Sequence, residues 1–284
     1  MKQFFCIGIL LLSAALVHAQ DAAQKINQAN QALAAQKYSQ AFDLYDAAMK
    51  NLGDVKIDPS INYNIGYAAY RAEKYKEAIP YLDKAIAAKA NVAKAWEYKG
   101  NAYSKMNDNT KAVDCYKKAA SIATEGQGEL IYNAGIAAYK GSMFDQAAQL
   151  FGQAADKGFK AETALYLKAM ALKKQNKKDE YKQALLDGVQ KFPNDKRLSS
   201  TLANEYVTEG NDYYQKGVDI MTEANAKVKA GTLKTTDAAY TSDVNKAKAQ
   251  FKAAVPIIEK AVQLDPTNDN ASKLLDACKQ NLTI

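Results

Sequence analysis

Side chains suited to proton transfer, nucleophilic attack and metal binding are scarce in this sequence. Its single histidine is His18, and its cysteines are Cys6, Cys115 and Cys278. A serine or cysteine nucleophile needs a nearby base, usually histidine, and a zinc site needs three or four ligands of the His, Cys and acidic types. Cys115 and Cys278 lie far apart in the chain with no CxxC, so they cannot build such a site alone. In an oxidising compartment they could pair; otherwise they read as two small buried hydrophobes. Carboxylates remain. Glu97 and Glu129 could act on a glycan if folding brought them to roughly 5–9.5 Å, but nothing in the sequence fixes that spacing. Tyrosine is plentiful, at 18 residues, and asparagine often stands beside it. Those two side chains suit binding: the ring gives contact area with a polar tip, and the amide both donates and accepts.

The elements that position these residues follow from a period. Gly66, Gly100, Gly135, Ala169 and Ala203 are spaced by 34, 35, 34 and 34 residues. Twelve residues after the first three come Ala78, Ala112 and Ala147. Four later come Leu82, Tyr116 and Phe151, and three later again Ala85, Ala119 and Ala154. Small residues at fixed offsets in an apolar helical pattern mark stacked helical hairpins, with helices approaching at the small positions and large residues filling between them.

The N-terminus reads as a secretory signal. Lys2 supplies the positive charge, residues 4–17 form an apolar run, and Val17-His18-Ala19 offers small residues at −3 and −1. Cleavage is expected after Ala19, with a short membrane anchor as the alternative, and no later stretch is apolar enough to span a bilayer. The expected location is the periplasm of a Gram-negative bacterium, or else the medium. His18 would leave with the signal, removing histidine chemistry. Loss of Lys2 lowers the formal net charge from +7 to +6. Only Arg71 and Arg197 are arginines, whereas nucleic-acid recognition favours arginine. A modest spread of lysines therefore reads as solubility rather than nucleic-acid binding. Lys173-Lys174-Gln175-Asn176-Lys177-Lys178 is expected in a turn. No cofactor signature and no metal set is present.

The segment Trp96-Glu97-Tyr98-Lys99-Gly100-Asn101-Ala102-Tyr103 resembles the opening helix of a tetratricopeptide repeat, with Lys99 in place of the family's Leu. Ala112-x3-Tyr116-x2-Ala119 is similar to the second helix. Tyr63-Asn64-Ile65-Gly66-Tyr67-Ala68-Ala69-Tyr70 and Tyr132-Asn133-Ala134-Gly135-Ile136-Ala137-Ala138-Tyr139 are near copies of each other. Family-like closing prolines stand at Pro193 and Pro266. The resemblance implies an all-α, right-handed superhelical solenoid. Expected are a signal peptide at 1–19, an array at 20–210 of about five repeats plus the first helix of a sixth, and 211–284 as an extended helical hairpin with a capping helix. The repeats fall near 22–55, 59–92, 93–126, 128–161 and 162–195, with Tyr181 and Gly188 departing from the family's Ala in the fifth. Helices at 211–229 and 237–264 are expected to run antiparallel, the second about 40 Å long and kinked at Pro256; a disordered loop is the alternative. Pro80 is expected in the first turn of its helix.

In this family the first helix of each repeat lines the partner groove. The resemblance implies groove positions at Asn27, Asn30, Tyr63, Asn64, Tyr67, Lys94, Glu97, Tyr98, Asn101, Tyr132, Asn133, Ile136, Tyr166 and Met170. Asn64 and Asn133 match the place where chaperone-binding members hold a backbone, while only Lys94 sits where those members place a carboxylate-holding base. For Tyr63, Tyr67 and Tyr132, binding and repeat packing are both open; Tyr70, Tyr103 and Tyr139 read as packing. The expected function is a non-catalytic adaptor of the cell envelope that binds a protein or peptide. The alternatives are a self-associating scaffold, a homo-oligomer built end to end, and an enzyme acting on cell-wall glycans.

Overall fold

A computed structural model describes residues 20–52 and 56–283. The expected signal segment lies outside the described residues. Thirteen helices occur among them, with no strand: α1 (residues 20–34), α2 (Tyr38–Lys50), α3 (Ile61–Arg71), α4 (Tyr75–Ala87), α5 (Val92–Lys105), α6 (Asn109–Ile122), α7 (Gln127–Lys140), α8 (Phe144–Asp156), α9 (Ala161–Lys174), α10 (Lys178–Lys191), α11 (Lys196–Lys229), α12 (Ala238–Leu264) and α13 (Asp269–Leu282). Among the described residues no helix is long and apolar enough to cross a membrane. They pack as two units, one ending at Ala161 and one beginning at Glu162.

In the first unit α3, α5 and α7 each pair with the helix that follows, α3 also meets α5, and Tyr45 of α2 bonds Asn30 of α1. The periodic small residues explain the pairing. A Cβ built on Gly100 would lie 3.0 Å from the Tyr116 ring, and one on Gly66 would lie 2.7 Å from Leu82 Cγ. The large residue of the second helix thus rests on the backbone of the first. Lys99, where the family has Leu, is accommodated by covering rather than exposure. Its side chain is only 13% exposed, its ammonium meets Asp83 at 2.5 Å and lies 4.9 Å from the Trp96 ring.

The turns inside the pairs repeat as closely as the helices. Gln36, Glu73, Asn107, Ser142 and Asn176 all take a left-handed backbone, with φ between 56° and 61°. In all five, the next N–H reaches five residues back, as from Lys37 to the Ala32 carbonyl and from Lys74 to that of Ala69, each a Schellman-type stop. The stop in front of α4 places its start at Tyr75. Pro80 is therefore the sixth residue of that helix and lies beyond its first turn, unlike the expectation from sequence.

In the second unit, Tyr181 and Gly188 show why the fifth repeat departs from Ala. The Tyr181 ring is buried and its hydroxyl donates to Glu205, which Lys173 also contacts at 2.8 Å. A Cβ on Gly188 would meet Leu198 at 3.0 Å. Gly210 stands seven residues after Ala203, where the other pairs make their turn, yet α11 continues through it for five more turns. The Ile258 side chain presses on Gly210 with no room for a Cβ, and Phe251 does the same at Gly217, at 2.6 Å. These contacts run α12 antiparallel along α11 to the turn at 230–237. At 1.5 Å per residue α12 is about 40 Å long. Pro256 lies within it and the helix continues on both sides. The position expected to divide the array from the hairpin, residue 210, falls inside α11.

A tyrosine face on the odd-numbered helices

The aromatic side chains of α2, α3 and α5 form one connected shelf in the first unit. Tyr38 meets Tyr67 edge-on at 5.9 Å. Tyr67 stacks with Tyr63, one turn back on α3, at 6.4 Å and an interplanar angle of 6°. Both rings reach Tyr98 of α5, at 4.9 Å from Tyr67 and 6.3 Å from Tyr63. Tyr70 closes the shelf against Tyr98 and Tyr75. Tyr63, Tyr70 and Tyr98 rest their inner edges on the unit's core. Spacing of four along α3 and the approach of α3 to α5 are what bring the rings together.

The Tyr63, Tyr70 and Tyr98 hydroxyls keep their protons at neutral pH. Burial, reinforced by the neighbouring Tyr63, Tyr67 and Glu97, pushes the Tyr98 phenol up to about 12. Burial raises Tyr63 and Tyr70 as well. Each hydroxyl can therefore both donate and accept. At one end Arg71 lays its guanidinium over the Tyr38 ring, 4.1 Å from its centre, and donates from Nη1 to the Tyr67 hydroxyl at 2.6 Å. At the other end Lys94 is paired with Glu97 at 2.7 Å.

The remaining candidate residues fall elsewhere. Asn30 is exposed on α1 but engaged by the fold, accepting from the Tyr45 hydroxyl, and half-buried Asn64 lies near the same hydroxyl. Asn101 accepts from Tyr116 at 2.6 Å. Asn27 is exposed on α1. Tyr132 is held edge-on between Phe151 and Phe159, at 5.7 and 5.6 Å, as part of a packing wall on α7, where Asn133 and Ile136 are half-buried. Tyr166 and Met170 lie in the second unit, where Arg197 sits 5.7 Å from the Tyr166 ring. Glu97 and Glu129 do line one recess of about 60 Å³. Glu129 is exposed there and Glu97 is paired with Lys94, so the recess does not hold two buried carboxylates. Among the described residues no group of three or more His, Cys, Asp or Glu is placed to hold a metal ion.

Tyr38 and Arg71 were not among the candidate residues read from sequence. Arg71 carried a signal, since it is one of two arginines and stands four residues after Tyr67 on the same helix face. Tyr38 carried none, because its part depends on where α2 meets α3.

The tetratricopeptide repeat family model matches residues 26–93 and again 63–127, in the register of the helix pairs α1–α2 through α5–α6. Residues 26–127 are thus tetratricopeptide repeats by that match. The tyrosine shelf thus lies within matched repeats, chiefly on their first helices, with Tyr38 and Tyr75 supplied by second helices. Solved tetratricopeptide structures are similar along most of the chain. One from Bacteroides fragilis shares 23% identity over 92% of this chain and 98% of its own, with a TM-score of 0.36. One from Parabacteroides merdae shares 18% over 92% and 99%, at 0.47. The C-terminal part of a repeat protein from Cytophaga hutchinsonii shares 16% over 88% and 99%, at 0.49. No curated protein sequence matches the chain.

Proposed function

We propose that this protein is a non-catalytic scaffold of the cell envelope that holds an extended segment of a partner protein on the tyrosine face of α3 and α5. The observation that carries the reading is the shelf itself. Rings that are half-buried and stacked are ordered before a partner arrives, so little side-chain entropy is lost on binding. Their neutral hydroxyls offer hydrogen bonds to a peptide backbone. The repeat family supports protein recognition as the class of function. The envelope location rests on Lys2, the apolar residues 4–17 and the small residues at 17 and 19.

Cross-linking the protein in its own cells, alongside a Tyr38→Ala/Tyr67→Ala variant shown to fold by circular dichroism, tests the reading. A defined partner recovered with the native chain and lost with the variant supports it. A partner recovered equally with both moves the working surface away from the shelf, and no reproducible partner with either ends the scaffold proposal.

A further inference from the structure

Arg71 differs from the other well-placed cations of the protein. Lys74 is paired with Asp43, Lys94 with Glu97 and Lys99 with Asp83. The second arginine, Arg197, donates from Nη2 to Asp195 at 3.0 Å and to Thr163 at 3.1 Å. Arg71 is exposed, and among the described residues its one hydrogen bond goes to the Tyr67 hydroxyl and it pairs with no carboxylate. Asp43 of α2 is paired with Lys74, and Glu97 of α5, which lies beside Tyr98, with Lys94. The Tyr38 face beneath the guanidinium fixes its plane, and a guanidinium has five donors in a rigid fork that matches a carboxylate. The fork is thus oriented, positively charged, uncompensated and continuous with the rings of Tyr67, Tyr63 and Tyr98.

Building on the scaffold reading above, we propose that Arg71 is the anchor for an aspartate or glutamate side chain of an extended acidic peptide segment whose neighbouring residues lie along Tyr67, Tyr63 and Tyr98. The charge selects the segment, and the tyrosine shelf supplies contact area. Tyr38 and Tyr67 act as positioning residues for the guanidinium.

A random peptide library displayed on phage, selected on the full-length chain, tests this. Selection should enrich aspartate and glutamate. A synthetic, C-terminally amidated and fluorescently labelled peptide from that selection should bind about tenfold more weakly to Arg71→Gln, as expected for loss of a charge-assisted fork. Changing the peptide's acidic residue to its amide should cost the native chain a similar factor and cost Arg71→Gln almost nothing, because the two changes remove one interaction. Arg71→Lys should bind between the two. Peptides that bind the native chain without acidic enrichment, or that bind Arg71→Gln unchanged, overturn the anchor and leave the scaffold reading standing. Failure to enrich any peptide on the native chain over the Tyr38→Ala/Tyr67→Ala variant removes both.

Discussion

Tyr116 donates its hydroxyl proton to Asn101 Oδ1 at 2.6 Å, clipping α6 to α5 fifteen residues apart in sequence. The same clip joins Tyr45 to Asn30 between α2 and α1, and Tyr240 to Asn225, at 3.1 Å, near the far end of the α11–α12 hairpin. Where the large residue of the second helix is Leu82 or Phe151, the residue fifteen earlier is Tyr67 or Ile136 instead. Tyrosine and asparagine thus occur together because a buried hydroxyl requires a partner. Tyr116→Phe should cost about 1 kcal/mol, the net value of such a bond, since half-exposed Asn101 can turn to water. Asn101→Ala should cost more, about 1–3 kcal/mol, because it strands the hydroxyl of a buried ring. Urea denaturation of the two variants gives the comparison, and the reverse order would show that the clip is not what holds Asn101.

Alkaline sensitivity follows from the same tyrosines. Burial pushes the Tyr45 and Tyr181 phenols up to about 12, Tyr181 with help from the Glu205 charge it donates to. An unfolded tyrosine loses its proton near pH 10. Between about pH 10 and 12 the unfolded chain ionises while the folded chain holds its protons, so the contribution is complete below about pH 10 and lost above it. The urea midpoint should fall between about pH 9 and about pH 11, and Tyr45→Phe should show a smaller fall than the native chain. An equal fall in both would assign the effect to other groups.

The repeat period made the pairing of helices legible, because a small residue facing a large one at a fixed offset has one packing solution. Other features were hidden for physical reasons. The left-handed turn positions hold Gln36, Glu73, Asn107, Ser142 and Asn176, none of them glycine, so only the two asparagines carried a residue-type signal; the register of the packed pair imposes the conformation on the rest. Gly210 misleads in the opposite sense. Glycine seven residues after Ala203 suggests a stop, but its missing Cβ serves Ile258 and the helix runs on. Asparagines at groove-like places were legible as polar and as facing a neighbour. Whether that neighbour is a partner or the fold's own Tyr45 and Tyr116 depends on side-chain contacts between helices, which spacing along the chain does not encode.

The long hairpin carries two substitutions of opposite sign. Pro256 is exposed in α12, and its ring nitrogen leaves the Lys252 carbonyl without its helical donor. Pro256→Ala should raise stability by about 2–3 kcal/mol, the helical cost of proline less the rigidity it gives the unfolded chain. Gly217→Ala places a Cβ into the buried Phe251 ring. The overpacking cost of about 1–3 kcal/mol should exceed the gain in helix propensity. Thermal unfolding of both variants checks the signs, and stabilisation by Gly217→Ala would mean that Phe251 can move.

Cys115 and Cys278 are both buried and unbridged, and burial pushes each thiol up to about 11. The thiolate is the reactive form, so both should resist a thiol reagent in the native protein and react once it is unfolded. Intact mass should be unchanged by reductant. The unfolded protein isolated from cells also reports on its N-terminus. Removal of residues 1–19 takes Cys6 with it, leaving two reactive thiols, whereas retention gives three. Rapid labelling of the folded protein would show that one of the thiols opens readily to solvent. A third thiol after unfolding would remove the support for signal cleavage and, with it, for the soluble envelope location.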